Sequence, residues 1–298
     1  MQSDDVIAQA IAVRRYGPSV QATRVSQSMG PVYRLCLPSG RHILKLAKIP
    51  GGGSIAKEAL IIQLLQQHRI PSPIIEFCGA DASSAGRDFL LMTSAGEQTI
   101  MHRLTSGAAH ANLLVAEMGG VLASIHGISL PASGDIQADR IVPHHPQAQI
   151  QRLHQLADWA TGQQLIRAED AAAFKRLPMP QMDGTALCHM DFNAVHCILR
   201  DNQISAVVDW ESAWAANPGI DLAAAHAYLE FHCPQALVRC FLDAYATTRP
   251  LPADYLQAYF PVRLAHLLGM MWVWHGQNLT ENVNRAARIF KTLCASEH

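Results

Sequence analysis

Residues 186–221 read ALCHMDFNAVHCILRDNQISAVVDWESAWAANPGID. This stretch contains two apolar segments, Cys197 to Leu199 and Ile204 to Val208, with the polar dipeptide Asp201-Asn202 between them. Two short apolar segments joined by a tight polar turn predict a β-hairpin.

Two carboxylates flank the predicted hairpin, Asp191 before it and Asp209 after it. Because the strands of a hairpin run antiparallel, we expect both carboxylates at the same end. Such a pair suits phosphoryl transfer, in which one carboxylate accepts the proton of an attacking hydroxyl and the other holds magnesium on the nucleotide phosphates. The alternative interpretation of each Asp is a turn residue or a helix cap.

A lysine in a predicted strand points to the same chemistry. In the segment HILKLAK, alternation places Ile43 and Lys45 on one face and Leu44 and Leu46 on the other. A lysine that shares a face with Ile is unusual in a solvated strand, and it suits an ammonium group that reaches nucleotide phosphates. We expect the nearby Lys48 on the surface.

Composition narrows the class of protein. The chain has 298 residues, a formal net charge of −1 and 49% hydrophobic residues, which supports a sizeable core in one or two domains. Near-neutral charge argues against nucleic acid or an acidic membrane as the main partner. Seven cysteines without a C-x-x-C pair, an acidic first segment and no apolar run long enough for a membrane span predict a cytoplasmic protein with reduced thiols.

Four sequence pieces occur in a fixed order: H-x-D at 189–191, the hairpin, D-W-E at 209–211, and P-x-x-D-L-A at 218–223. Together they resemble the motifs of the aminoglycoside phosphotransferase family, whose members are small-molecule kinases. The resemblance implies an α+β, two-lobed protein-kinase-like fold. It further implies a nucleotide-binding N-lobe with a small antiparallel β-sheet, residues 1–93, and a mainly helical catalytic and acceptor-binding C-lobe, residues 94–298.

The resemblance also assigns roles to individual residues. Asp191 is expected as the catalytic base, Asp209 as a magnesium ligand, and Lys45 as the phosphate-binding lysine that Glu58 orients. An alternative for Glu58 is an acid in a first helical turn, where it complements the helix dipole. The remaining nucleotide contacts are implied for the loop at 26–30, otherwise an ordinary hairpin turn, and for the hinge at 92–96: Ser28, Gly30, Met92 and Ser94.

The chain departs from the family pattern at two positions. His196 stands where the family commonly has Asn, and it resembles the His of the family's macrolide phosphotransferases. Magnesium prefers oxygen ligands, so metal binding by His196, a hydrogen bond to phosphate and simple packing all stay open. Met190 replaces the usual Gly, which we expect to matter little because its side chain need not enter the site. Asp221, which opens an apolar helical run, is expected as a structural N-cap or first-turn residue, and His126 as a structural contact.

The expected reaction is transfer of the γ-phosphoryl group of ATP or GTP, with Mg²⁺, to a free hydroxyl of a small molecule. An antibiotic, aminoglycoside or macrolide, is the expected acceptor, with Glu211 and Glu230 as candidate contacts. Few acids occur from residue 222 onward, and this scarcity, together with His196 and the apolar C-terminal helices, favours a macrolide or another large, less charged antibiotic over a polycationic aminoglycoside. A metabolite kinase for choline, thiamine or a sugar and a nucleotide-binding pseudokinase are the alternatives. No nucleic-acid or membrane partner is expected.

Overall fold

A computed structural model describes residues 3–25, 30–49, 53–107 and 110–296. Its helices and strands in chain order are α1 (Asp4–Tyr16), β1 (Ala22–Arg24), β2 (Val32–Leu37), β3 (Gly40–Leu46), α2 (Ser54–Gln67), β4 (Ile75–Gly79), β5 (Phe89–Thr93), β6 (Gln98–Thr99), α3 (Ile100–Thr105), α4 (Ala111–Ile125), β7 (Gly134–Ile136), β8 (Ile141–Val142), α5 (Pro146–Gly162), α6 (Ala168–Arg176), β9 (Ala186–Cys188), β10 (Cys197–Arg200), β11 (Gln203–Val207), β12 (Trp214–Ala216), α7 (Pro218–His232), α8 (Gln235–Thr248), α9 (Tyr255–Ala258), α10 (Phe260–Gly276) and α11 (Thr280–Ser296). The antiparallel strand pairs and numerous helices confirm the predicted α+β class.

The chain divides into two compact units. The first comprises Met1–Ala109, Ile136–Ile141 and Ala194–Ser212, and the second comprises His110–Asp135, Val142–Asn193 and Ala213–His298. The hairpin β10–β11 therefore belongs to the same unit as the N-terminal sheet. The functional boundary between residues 93 and 94 stays a prediction.

The first unit is built on an antiparallel sheet with the strand order β1-β2-β3-β5-β4. One face of this sheet is covered by α1, where Ile7 and Ile11 pack with Leu35 and Leu44 in a fully buried cluster. On β3 the buried residues alternate with residues that keep a small exposed fraction, and Lys45 is one of the latter. Alternation along the strand thus places Lys45 away from α1, as the sequence predicts.

The hairpin forms as predicted. Strands β10 and β11 pair antiparallel, and Arg200 lies opposite Gln203. The two turn residues, Asp201 and Asn202, have φ values of 53° and 63°. Positive φ at both central residues is the signature of a type I′ turn, which Asn and Asp tolerate and which matches the twist of the flanking strands.

The second unit is mainly helical. A core of residues from α5, α6, α7, α10 and α11 is fully buried, including Phe174, Leu267 and Phe290. The segment 128–146 has the Pro, Ser, Gly and His content typical of a loop, yet it contains the short strands β7 and β8. Strand β12 pairs with both β7 and β9, in a sheet of order β8-β7-β12-β9. Strands of two or three residues are too short for alternation to show them in the sequence.

No helix in the ranges that the structure describes combines the length and apolarity that crossing a bilayer requires.

Helices α4 and α8 of the second unit approach each other closely at Gly119. A Cβ atom on Gly119 would lie 2.2 Å from the carbonyl oxygen of Phe241 and 3.0 Å from the backbone nitrogen of Tyr245. The next residue, Gly120, has open space around its Cβ position. Only the first of these adjacent glycines is therefore required by packing.

We predict opposite effects of alanine at these two positions. Gly119→Ala forces the backbones of α4 and α8 apart, so it should lower the free energy of unfolding by about 1–3 kcal/mol or more. Gly120→Ala should raise it by about 0.5–1 kcal/mol, because alanine favours the helix. Urea unfolding of both variants checks this, and equal midpoints would contradict the close approach.

Candidate active site

Three charged residues meet in the first unit. The Lys45 Nζ atom donates to Asp209 Oδ1 at 2.7 Å and forms an ion pair with Glu58 Oε2 at 2.7 Å. The Glu58 side chain is 2% exposed and that of Lys45 is 12% exposed, whereas that of Asp209 is 38% exposed. The structure thus brings together three residues that the sequence placed at one site, with Asp209 facing solvent most.

Helix α2 explains the position of Glu58. The helix begins at Ser54, so Glu58 lies beyond its first turn, which contains no acidic residue. The alternative in which Glu58 complements the helix dipole from the first turn is therefore wrong, because the dipole effect falls off after that turn. The ion pair with Lys45 accounts for this buried carboxylate instead.

The charges of this cluster shift one another's titration. Burial acts to lower the pKa of Lys45, but the charges of Glu58 and Asp209 outweigh it and hold that pKa above its ordinary value. Burial raises the pKa of Glu58, and the Lys45 ammonium opposes that shift. Lys45 is therefore a permanent cation beside a partly exposed carboxylate.

His196 lies beside the same carboxylate. The Nε2 atom of His196 is 3.6 Å from Asp209 Oδ2, while Lys45 pairs with Asp209 Oδ1. The pairing of the Val208 N–H with the His196 carbonyl, at 3.0 Å, sets this position at the base of the hairpin. The Asp209 side chain, which is 38% exposed, suits a hard divalent cation that keeps other oxygen ligands, while an imidazole is a poorer ligand for magnesium.

The other predicted nucleotide contacts have different surroundings. Ser28 lies outside the described residues. Gly30 directly precedes Pro31 and β2, and Met92 is buried in β5 opposite Ile43. The Ser94 N–H donates to the Arg41 carbonyl at 2.8 Å, and the Ser94 carbonyl accepts from Arg200 at 2.7 Å. The backbone groups of Ser94 are thus already used, and its contact with an adenine stays a prediction.

The first unit contains a cleft of about 290 Å³. Its lining comes from β1, β2 and the chain after the predicted hinge: Thr23, Arg24, Val25, Arg34, Glu97, Gln98, Thr99 and His102. Glu97 forms an ion pair with Arg41. Arg24, a lining residue on β1, forms an ion pair with Asp5 at 3.7 Å.

In the second unit, Asp191 follows β9 and is partly exposed. The side-chain amide of Asn193 donates to Asp191 Oδ1 at 3.2 Å and to the Asp191 carbonyl at 3.0 Å. Asn193 is 7% exposed, so its amide is held in place. Sequence reasoning missed this residue, although an Asn two residues from an Asp is a spacing that favours such local hydrogen bonds.

Asp221 holds the loop that precedes Asp191. Its fully buried carboxylate accepts the N–H of His189 at 2.6 Å, the N–H of Met190 at 2.9 Å and His126 Nε2 at 3.2 Å. Asp221 lies in the first turn of α7, as expected, but the N-cap of that helix is Asn217. The structural role predicted for Asp221 is therefore directed at the loop rather than at its own helix.

The electrostatics of Asp221 follow from these contacts. Burial acts to raise the pKa of Asp221, but the hydrogen bonds from the His126 side chain and the His189 N–H act in the opposite direction, and the pKa is lowered overall. The ligand atoms of His126, Cys188 and Asp221 lie within 4.8 Å of one another. Burial raises the pKa of the Cys188 thiol, and both His126 nitrogens are hydrogen-bonded, so this cluster suits a hydrogen-bond network better than a metal.

Met190 adopts a backbone conformation that favours glycine. Its φ is 64°, in the left-handed region, which costs a residue with a Cβ atom about 1–2 kcal/mol. The partly buried side chain packs against Ala186, Cys188 and Ala216. The expectation that Met matters little here is therefore wrong in one respect, since the backbone is strained and the side chain is part of the packing.

The two candidate acceptor contacts are both ion-paired. Glu230 accepts two bonds from Arg263 Nη2, at 2.6 and 2.8 Å, and its Oε1 lies 3.4 Å from His226 Nε2. Glu211 pairs with Lys48 at 2.9 Å, and Lys48 is exposed as expected. Acceptor binding by Glu211 or Glu230 stays a prediction, and the charge of Glu230 is already compensated.

We predict that Asp221→Asn lowers the free energy of unfolding by about 3–5 kcal/mol near neutral pH, because a buried charge and its matched donors are disrupted. The folded-state pKa lies below the unfolded value of 3.8, so the stabilisation is present above that value. It is lost as pH falls through the folded-state pKa.

Denaturant unfolding from about pH 7 to about pH 3 measures the gap between wild type and variant, which should shrink at the acid end. The control is Asp201→Asn at the exposed, left-handed turn position, which should change little. A gap that is independent of pH would contradict the lowered pKa.

The sequence and the fold are both similar to those of known phosphotransferases. The sequence profile described as "Phosphotransferase enzyme family" matches residues 22–259. A sequence comparison with curated proteins gives no significant match.

Solved structures with a similar fold include a thermostable mutant of aminoglycoside phosphotransferase APH(4)-Ia in its apo form, with 14% identity and a TM-score of 0.65 over 97% of this chain and 99% of the other. A further point variant of that thermostable mutant, in a ternary complex with AMP-PNP and hygromycin B, gives 12% identity and a TM-score of 0.66 over 97% of each chain. Macrolide 2'-phosphotransferase MphH from Brachybacterium faecium gives 16% identity and a TM-score of 0.58 over 94% of this chain and 96% of the other. These structures show the fold.

Proposed function

Because the chain belongs to the phosphotransferase enzyme family, we propose that it transfers the γ-phosphoryl group of ATP or GTP to a hydroxyl of a small molecule. The observation that supports this most is the Lys45 ammonium held between Glu58 and Asp209 at 2.7 Å from each. A buried, permanently charged lysine beside a half-exposed carboxylate combines a phosphate-binding cation with a ligand for the phosphate-bound metal.

In this proposal each residue has a distinct task. Lys45 binds phosphate oxygens, and Glu58 keeps its ammonium in place. Asp191 accepts the proton of the attacking hydroxyl, and Asn193 orients the Asp191 carboxylate through the bond at 3.2 Å. Asp209, with His196 beside it, would hold Mg²⁺, which supplies charge neutralisation on the phosphates when bound. The first 93 residues then act as the nucleotide-binding lobe and the rest as the catalytic and acceptor-binding lobe.

An antibiotic is the proposed acceptor class. Hygromycin B is bound in a similar structure, and a macrolide phosphotransferase shares the fold. The pairing of Glu230 with Arg263 and His226 leaves little uncompensated negative charge there for a polycation. A large, weakly charged acceptor such as a macrolide therefore fits better than an aminoglycoside.

A nucleotide-consumption assay with ATP and GTP against macrolides, aminoglycosides, choline, thiamine and sugars tests the proposal. Phosphorylated product should form with a macrolide, and mass spectrometry should show the added phosphate. Nucleotide binding without product from any of these acceptors would support a pseudokinase instead.

Asp191→Ala should lower turnover by about 10²- to 10⁴-fold, the usual contribution of a general base, while nucleotide affinity stays near that of wild type. Asp183→Ala removes an exposed carboxylate of the same unit and serves as the matched control. Steady-state kinetics and nucleotide titration measure both effects. Wild-type turnover by the Asp191 variant would refute its role as the base.

Lys45 and Lys48 offer a second matched pair. The double variant Lys45→Met with Glu58→Gln removes the ammonium without leaving a buried carboxylate unpaired, and it should weaken nucleotide binding by about 10- to 100-fold. Lys48→Met removes an exposed lysine that pairs with Glu211, and it should change affinity less than about twofold. Equal losses would show that general positive charge, rather than the Lys45 position, binds the phosphates.

A further inference from the structure

A tyrosine on α8 extends the network around Asp221. The Tyr245 hydroxyl lies 2.8 Å from His126 Nδ1, and His126 Nε2 lies 3.2 Å from Asp221 Oδ2. All three side chains are at most 2% exposed. Three buried polar groups are therefore joined end to end, from α8 through the end of α4 to α7.

The chemistry of these groups fixes which atom donates and which accepts at each step of the hydrogen-bond network. An ionised carboxylate only accepts, so His126 Nε2 carries the hydrogen that Asp221 receives. In a neutral imidazole Nδ1 then accepts, and the Tyr245 hydroxyl donates to it. Burial raises the pKa of Tyr245, with Arg249 opposing that shift, so the hydroxyl keeps its hydrogen.

This hydrogen-bond network ends at the backbone of the loop that carries Asp191. The two oxygens of Asp221 accept the N–H groups of His189 and Met190, the residues directly before Asp191. Met190 has a φ of 64° and needs external contacts to hold this strained backbone. The orientation of the Asp221 carboxylate therefore bears on where Asp191 lies.

We propose that Tyr245 is a positioning residue for the phosphoryl transfer. Its hydroxyl orients the His126 ring, the ring orients the Asp221 carboxylate, and the carboxylate holds the His189–Met190 backbone in the conformation that presents Asp191. This rests on the proposed function, in which Asp191 is the base. The close approach of α4 and α8 at Gly119 gives Tyr245 its access to His126, since a Cβ there would lie 3.0 Å from the Tyr245 nitrogen.

The second unit contains a second Tyr–His–carboxylate series, which does not lead to the loop that carries Asp191. The Tyr255 hydroxyl lies 3.2 Å from His226 Nδ1, and His226 Nε2 lies 3.4 Å from Glu230 Oε1. Tyr255 is 5% exposed, compared with 1% for Tyr245. Glu230 pairs with Arg263 rather than with a backbone loop. The same Tyr→Phe change in the two chains thus removes the same kind of bond at similar burial, with a link to Asp191 in only one.

The test compares Tyr245→Phe with Tyr255→Phe by hydrogen exchange of the 187–193 amides, which requires no activity. Loss of the Tyr245 hydroxyl leaves His126 Nδ1 without its donor, so exchange at His189 and Met190 should speed up about tenfold. Tyr255→Phe should leave that exchange unchanged. Equal exchange in the two variants, fast or slow, would overturn the proposal whatever the activity of the enzyme.

Kinetics supply the second readout. Tyr245→Phe should lower kcat about tenfold, with the KM for nucleotide within about twofold of wild type, since the geometry of the base changes and the nucleotide residues do not. Loss of stability without this split would overturn a positioning role. If Asp191→Ala retains turnover, the proposed function fails, and the exchange experiment still decides separately whether Tyr245 holds the loop.

A third variant tests whether Tyr245 acts through His126. His126→Gln keeps a donor for Asp221 but removes the ring that links it to Tyr245. In this background, Tyr245→Phe should have little further effect on exchange or kcat, because the two residues act in series. Additive effects of the two substitutions would contradict the proposal that Tyr245 acts through His126.

Discussion

The buried carboxylate of Asp221 is the constraint on which the geometry around Asp191 depends. An ion removed from water is costly unless hydrogen bonds replace its hydration. Asp221 obtains three of them, two from consecutive backbone N–H groups and one from His126. Because a carboxylate in this position has few alternative arrangements, the strained backbone at Met190 persists and the following residue, Asp191, has a defined place.

The first unit also buries a carboxylate, and an ion pair compensates its charge. Glu58 is as deeply buried as Asp221, but its compensation comes from the Lys45 ammonium rather than from backbone groups. The same ammonium contacts Asp209, which remains more exposed. A buried pair of this kind contributes little net stability and much orientation. Its consequence is a cation fixed in direction, next to a carboxylate that is open to a ligand.

Glu230, an acid of the C-terminal helices, follows a different pattern. Glu230 is committed to Arg263 and His226, so its charge serves the packing of α7 against α10. Burial lowers the pKa of His232 to about 4, with Arg285 acting in the same direction. His232 is therefore neutral near physiological pH and contacts Tyr228, Phe231 and Trp274 as an aromatic ring. The contacts of His232 in this part of the second unit are therefore those of an aromatic ring rather than of a cation.

Local physics determined what could be predicted from the sequence alone. Turn chemistry at Asp201-Asn202 and the apolar segments beside it predicted the hairpin, and strand alternation predicted the face of Lys45. The order of the motifs predicted the family and the fold class. The tertiary structure decided what depends on distant partners: His126 meets Asp221 across 95 positions and Tyr245 across 119. The position of Glu58 beyond the first turn depended on where α2 begins. The left-handed backbone of Met190 depended on contacts with Asp221, because no local pattern specifies which distant carboxylate a loop will reach.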